Sequence, residues 1–227
     1  MAFFTRTMVL GQENNPLTLH DLIQSLNDIT RMHSDALGLG TDYHLARDLA
    51  WVVTRYHVII KTPFEAGEVS VSTEPFSFKR MMGYRVYELK RDGQLLVEGS
   101  VQYMLINLKT KAPVYPTDEM IERFNARYTD GRTLSFPKHK FHEPNKIRQW
   151  TYTVLKSDID ANGHVNNAAY FKAIEGPYVS ACQSLSVTYK EEVFLGDEVT
   201  ITHYRVDGGL WVVMEKDTRV VFECFIQ

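Results

Sequence analysis

In DIDANGHVNN, residues 158–167, Asp158, Asp160, Asn162 and His164 fall at every second position, with Gly163 among them and Asn166 and Asn167 after. Calcium is one chemistry for such a set, because D-x-D-x-N-G opens an EF-hand loop. The twelfth position, where that loop has a bidentate glutamate, is Ala169, and the preceding WTYTVL is strand-like where the motif needs a helix. No metal is therefore expected. A plain polar turn, capping a helix with Asn166 or Asn167, accounts for one or two polar residues but not for His164. A catalytic loop accounts for more. A loop feeding a helix N-terminus offers N–H groups to a carbonyl oxygen that becomes negative, and here Val165 or Asn166 would donate. The carboxylate of Asp160, the carboxamide of Asn162 and the imidazole of His164 supply orientation, polarisation and proton transfer. Hydrolysis of an activated acyl compound needs that set.

The elements that must hold this loop have their own signals. LTLHDLIQSLNDITRM places Leu19, Leu22, Ile23, Leu26 and Ile29 at three- and four-residue steps, which predicts an amphipathic helix. Beyond Gly38 and Gly40, TDYHLARDLAWVV predicts a second helix, with Leu45, Leu49, Val52 and Val53 on one face and Thr41 or Asp42 as its cap. AFFTRTMVL reads as a strand ahead of both. RYHVIIKTPF, EVSVSTEPFSF and YRVYELKRDGQLLVEGSVQYMLINLK read as an antiparallel meander after them, with a turn at Asp92-Gly93.

The order starts again at Trp150: the strand WTYTVL, the polar loop, a helix over 166–176, then the strands SLSVTYKEEVF, DEVTITHYRV, LWVVMEK and RVVFECFI. Laying VIIKTPFEAGEVSV (58–71) beside VTYKEEVFLGDEVTI (187–201) aligns Lys61 and Gly67 with Lys190 and Gly196, as in an internal duplication with a period near 129 residues. The predicted division is an N-terminal domain over 1–125, a linker over 126–149 and a C-terminal domain over 150–227. Each half must cover a helix and bury one face of an antiparallel sheet, and wrapping the sheet around the helix does both. The second half is too short to bury enough surface alone, so the two pair through their sheets. The fold class is α+β, a pseudo-dimer within one chain; a homodimer of whole chains stays open.

Bulk properties narrow the partners. A net charge of -3 excludes general nucleic-acid affinity, which draws on clustered Lys and Arg. No apolar run is long enough for a membrane span, and MAFFTRTMVLGQENN lacks the parts of a signal peptide, which predicts a cytoplasmic protein. Cys182 and Cys224 have no motif spacing and read as buried small hydrophobes. The linker is locally basic: Arg132, Lys138, Lys140, Lys146 and Arg148 face only Glu143 across 132–148. It reads as a solvated linker or as a docking surface for an acidic partner.

DIDANGHVNNAAYF resembles the D-x-D-x-N-x-H-V-N-N segment of the acyl-acyl carrier protein thioesterases, tandem-hotdog enzymes of plants and bacteria that release free fatty acids from fatty acid synthesis. VTYKEE resembles the family's Y-x-x-E segment. RMHSDALGLG, TRYHVIIKTPFEAGEVSVST and VQYMLINLKTKAP resemble its N-terminal hotdog, so the likeness spans nearly the whole chain. It implies tandem hotdog folds, each an antiparallel sheet around a central helix, with no cofactor. It also implies Asp160, Asn162, His164 and Glu192 as the catalytic set, with Glu191 the nearby alternative. Plant members often carry a cysteine after that glutamate; here Val193 stands there, which leaves a cysteine nucleophile unsupported. The absence of a transit segment before the first strand fits a bacterial form.

The implied substrate is an acyl chain on acyl carrier protein, an acidic partner that Lys138, Lys140, Lys146 and Arg148 would steer. The first half has His33 but no matching polar set, and Pro63 stands at the counterpart of Glu192, so one active site per chain is expected. Its share is the wall of an acyl pocket, with Trp51, Phe76, Phe78, Met81, Met82 and Tyr84 as candidate lining. The rivals are an acyl-CoA thioesterase or dehydratase of the same fold and a non-catalytic acyl-binding module.

Overall fold

Strand-forming runs dominate both halves, and all of them enter one antiparallel sheet. The computed structural model describes residues 3–12, 15–142, 144–160 and 163–227. The first half contains β1 (Phe4–Leu10), α1 (Leu19–Ala36), α2 (Thr41–Leu45), β2 (Leu49–Ile60), β3 (Gly67–Lys79), β4 (Met82–Arg91), β5 (Gln94–Asn107) and α3 (Asp118–Phe124). The second contains β6 (Asn145–Thr153), α4 (Tyr170–Ala173), β7 (Ser184–Tyr189), β8 (Glu198–Val206), β9 (Gly209–Lys216) and β10 (Arg219–Ile226). Read inward from its edges, the sheet runs β1-β3-β4-β5-β2 from one side and β6-β8-β9-β10-β7 from the other. The two halves therefore repeat one strand order and meet where β2 pairs with β7. At that seam His57 lies opposite Ser186, with its Nδ1 3.2 Å from the serine Oγ and 129 positions between them. That interval is the period that aligns Lys61 with Lys190, so at this one pair a position of the repeat faces its own equivalent across the seam.

The helix α1 fills the concave face. Thr18 Oγ1 accepts from the Asp21 N–H and the Asp21 carboxylate accepts from the Thr18 N–H, which closes a capping box at its start. Leu19, Leu22, Ile23, Leu26 and Ile29 are buried as the periodicity predicts, at about 1.5–3 kcal/mol of transfer free energy each. Gly38, at φ +62, ends the run.

Two predicted helices come out differently. Only Thr41–Leu45 of the expected 41–53 segment is helical; Asp48 turns the chain at φ +53, and Leu49, Val52 and Val53 belong to β2, paired with β5. β-Branched residues and a partner strand prevail there over a pattern that fits both periods. The expected helix over 166–176 contracts to α4. Before it, the Asn166 side chain accepts from the Ala168 N–H and holds a turn; after it, Glu175 adopts φ +48 and Pro177 follows.

Residues 126–149 are also more than a tether. The N–H groups of Arg127 and Tyr128 donate to the carbonyls of Pro75 and Phe76, Phe136 stacks on Tyr84, and Phe141 packs on Trp211 and Phe225. The segment is thus a strap over the sheet, and β6 begins at Asn145, ahead of the predicted Trp150.

Under the strand edge, Arg85 of β4 donates to His33 Nδ1 of α1 at 2.9 Å, while the imidazole stacks on Phe4. Burial, then the Arg85 charge, hold His33 at about 4 instead of 6.5. An unfolded chain takes up this proton at higher pH than the folded one. The contribution of neutral His33 is thus full above about 6.5 and is lost as pH falls toward 4. Urea midpoints should drop between pH 7 and 4.5, and less steeply in His33→Asn; equal slopes would refute this origin.

Candidate active site

The polar loop is assembled from both of its ends. A 3-10 turn, Lys156–Asp158, follows β6 and buries the Asp158 carboxylate, which accepts from the Tyr152 hydroxyl at 2.7 Å and the Leu155 N–H at 2.8 Å. Held by these donors, it anchors the loop. Ile159 bridges to Val165, the Asp160 N–H donates to the His164 carbonyl at 2.9 Å, and the Gly163 N–H donates to the Asp160 carbonyl at 3.1 Å. This tight reversal needs φ +83 at residue 163, which glycine adopts freely. Ala161 and Asn162 lie outside the described residues.

The reversal presents His164 to the start of the loop after β7. Its Nε2 lies 3.5 Å from Glu192 Oε1, and the edge-on ring of Phe194 closes its other side at 5.2 Å. Glu191, the neighbouring candidate, turns away to Arg219 at 3.2 Å. The carboxylate set toward the imidazole nitrogen is therefore that of Glu192, whereas Asp160 Oδ1 accepts the backbone N–H of His164 at 3.4 Å. Residues closing one turn thus bring the Asp160 side chain onto the backbone of His164. A residue that sequence reasoning missed completes the cluster. Lys111, from the loop after β5, places Nζ 3.5 Å from Glu192 Oε2. Its only signal was its place in VQYMLINLKTKAP; nothing local ties it to a glutamate in the other half.

The backbone donors also need correction. The Val165 N–H donates to the Val193 carbonyl at 3.0 Å and the Asn166 N–H to the Asp158 carbonyl at 2.8 Å, so neither is available to an oxyanion. Those two bonds instead clamp the loop to the segment that carries Glu192. Val165 still lines the cleft, while the Asn166 side chain turns toward Gln24. Asn167 lines the cleft, and among the described residues its N–H has no acceptor.

Asp160, His164 and Glu192 open onto a cleft of about 300 Å³, walled on the opposite side by Trp51, Val53, Met104 and Ile106. It continues into a cavity of about 260 Å³ that shares Ala50, Trp51, Val53, Asp160 and Asn167 and extends along α1 to Thr30 and Ser34. Phe78 and Tyr84 line a smaller recess of about 80 Å³ beyond it. Met81 and Met82 line none of these; Met104, opposite Met82 in the β4–β5 register, holds the corresponding place in the cleft wall. Phe76 packs on Tyr128 of the strap.

Lys138 and Lys140, both exposed, line a separate groove of about 340 Å³ with Arg55 and Lys190, and Lys190 also borders the catalytic cleft. Lys146 and Arg148 stand apart on the edge strand β6, where Arg148 pairs with Glu175 at 2.7 Å. Cys182 and Cys224 are buried, and burial pushes the Cys182 thiol up to about 11 and raises the Cys224 thiol as well. Both are the inert fillers their spacing suggested. Among the described residues no helix is long and apolar enough to cross a membrane.

Comparison with known proteins places these features. Residues 8–124 match the acyl-ACP thioesterase N-terminal domain and residues 141–224 the acyl-ACP thioesterase C-terminal domain. The chain is 24% identical over 186 residues to oleoyl-acyl carrier protein thioesterase 2 of Arabidopsis thaliana, across 74% of this chain and 50% of that protein. It thus spans about half of that relative's length. An acyl-ACP thioesterase from Bacteroides thetaiotaomicron superposes with a TM-score of 0.79 at 22% identity, covering 99% of this chain and 96% of that one. The 12:0-ACP thioesterase from Umbellularia californica gives 0.80 at 18% identity over 99% and 96%. The shared fold is the tandem hotdog.

Proposed function

This chain belongs to the acyl-ACP thioesterase family, and from that premise we propose that it hydrolyses acyl-acyl carrier protein thioesters to free fatty acids, ending chain elongation. The observation that carries the reading is the His164–Glu192 pair beside Asp160 at the mouth of a cleft that continues into a second cavity. The thioester carbonyl sits over the loop, with the Asn167 N–H supplying the oxyanion contact that Val165 and Asn166 cannot. Glu192 takes a proton from water, whose oxygen bonds to the carbonyl carbon; the C–S bond then breaks, and the proton passes from Glu192 to the departing thiolate. His164 holds the water against Glu192, and Lys111 keeps a positive charge beside that carboxylate. Asn162, by its place in the family motif, polarises the thioester.

The groove of Arg55, Lys138, Lys140 and Lys190 is the docking surface in this reading: its charge suits an acidic carrier, and Lys190 links it to the cleft that a pantetheine arm must enter. A soluble carrier as partner suits a reaction in the cytoplasm. The paired sheets lie within one chain, so the site is complete without a second copy.

Lys138→Glu with Lys140→Glu should raise KM for a carrier-protein substrate about tenfold, most at low salt, with kcat little changed. Hydrolysis of a short acyl-pantetheine thioester should stay within about twofold. Equal effects on both would remove the docking assignment. Higher kcat/KM for acyl-CoA than for the matched carrier-protein substrate would replace the substrate class.

A further inference from the structure

The far end of the acyl path is not apolar. Trp51 lines all three recesses, so a chain that enters at His164 and follows it reaches the smallest one, which Thr30, Ser34, Tyr103 and Arg85 also line. Arg85 is 5% exposed, and among the described residues it bonds only neutral groups, His33 Nδ1 at 2.9 Å and Thr73 Oγ1 at 3.3 Å. Both bonds use the same terminal nitrogen, and a guanidinium carries five N–H donors and keeps its charge. Besides His33, whose imidazole burial keeps neutral, the ionisable groups that act on its charge are the phenols of Tyr87, Tyr103 and Tyr56, while the adjacent Glu74 pairs with Arg127 of the strap.

Close by, the Trp51 Nε1–H is buried with no acceptor among the described residues. The Thr30, Tyr87 and Tyr103 hydroxyls bond one another at 2.7 and 3.1 Å, and Thr30 Oγ1 donates to the Leu26 carbonyl, so the donors left over are those of Arg85 and the Trp51 indole. A buried charge and a buried donor are costly unless something accepts from them, and a saturated hydrocarbon cannot.

We propose that the preferred acyl chain carries an oxygen near its far end, a hydroxyl, oxo or carboxyl group, that accepts hydrogen bonds from Arg85 and the Trp51 Nε1–H. This rests on the acyl thioesterase reading and narrows its substrate class. Gly83 gives the recess its shape, because a Cβ there would lie 3.2 Å from both Trp51 and Phe78.

The test uses the full chain and a length series of carrier-protein thioesters in three matched forms: unsubstituted, ω-hydroxy and ω-carboxy. At some length an oxygenated form should exceed its unsubstituted match at least tenfold in kcat/KM, and Arg85→Met should bring that ratio close to one. Preference for the unsubstituted chain at every length overturns the proposal, as does a ratio that Arg85→Met leaves intact. The wild-type series stands alone should the variant fail to fold. No turnover of any thioester would refute the hydrolase reading instead. Calorimetry with the free acids then still tests the recess: tighter binding of the oxygenated acid supports the proposal, and tighter binding of the plain acid overturns it.

Discussion

Glu192→Gln should lower kcat for acyl carrier protein thioesters about 10²- to 10⁴-fold, the range for loss of a general base, with KM and thermal stability little changed. The amide keeps the shape beside His164 Nε2 but cannot take a proton from water. Glu191→Gln is the control: its carboxylate faces Arg219 at the surface, and kcat should stay within about twofold. His164→Ala should resemble Glu192→Gln, and the double variant should lose little more than either single one, because the two act on one water. Lys111→Met should fall between, since it removes a charge 3.5 Å from Glu192 Oε2 without removing the base. If Glu192→Gln keeps more than a tenth of wild-type kcat while Glu191→Gln loses activity, the roles are reversed.

Asp158→Ala should cost about 3 kcal/mol and lower Tm by about 6–12 °C, because it strands two donors, the Tyr152 hydroxyl and the Leu155 N–H, at a buried site. Burial, then the hydrogen bond to Asp158, push the Tyr152 phenol up to about 12, so it remains a donor through the neutral range. Adding Tyr152→Phe to Asp158→Ala should therefore cost less than the two single changes together. Activity should fall as well, since the Asp158 carbonyl holds the Asn166 N–H and so one end of the loop. Asp160→Asn, two residues on, should leave Tm nearly unchanged and act on kcat. Urea denaturation beside steady-state kinetics separates the two, and a wild-type Tm in Asp158→Ala would remove the anchor.

These outcomes follow the line between what was local in the sequence and what was not. The face of α1 was legible because its five apolar residues must share one partner surface at a period of 3.6. The repeat was legible from Lys61 and Gly67 against Lys190 and Gly196. Residues 41–53 misled because Leu45, Leu49 and Val52 fit a helical period, while the pairing of Leu49 with Asn107 and Val52 with Met104 lies far off in sequence. The oxyanion donors misled for the same reason. Val165 looked free as a helix-start amide, and it is consumed by Val193, a residue that only the fold brings near.

By itself the sequence determined the tandem sheet-and-helix organisation, the strand-to-loop placement of Asp160 and His164, and the burial of both cysteines. Each of these depends on residue type and short-range periodicity, which a chain carries whether folded or not. Tertiary structure decided which of two adjacent glutamates faces the imidazole, because both lie in the loop after β7, whose path depends on what the sheet packs beside it. It decided the arrival of Lys111 from the other half, the loss of two amides to loop pairing, and the unmatched charge of Arg85 at the end of the acyl path. All four are contacts between segments far apart in the chain, and such contacts come into being only when the sheet closes around α1.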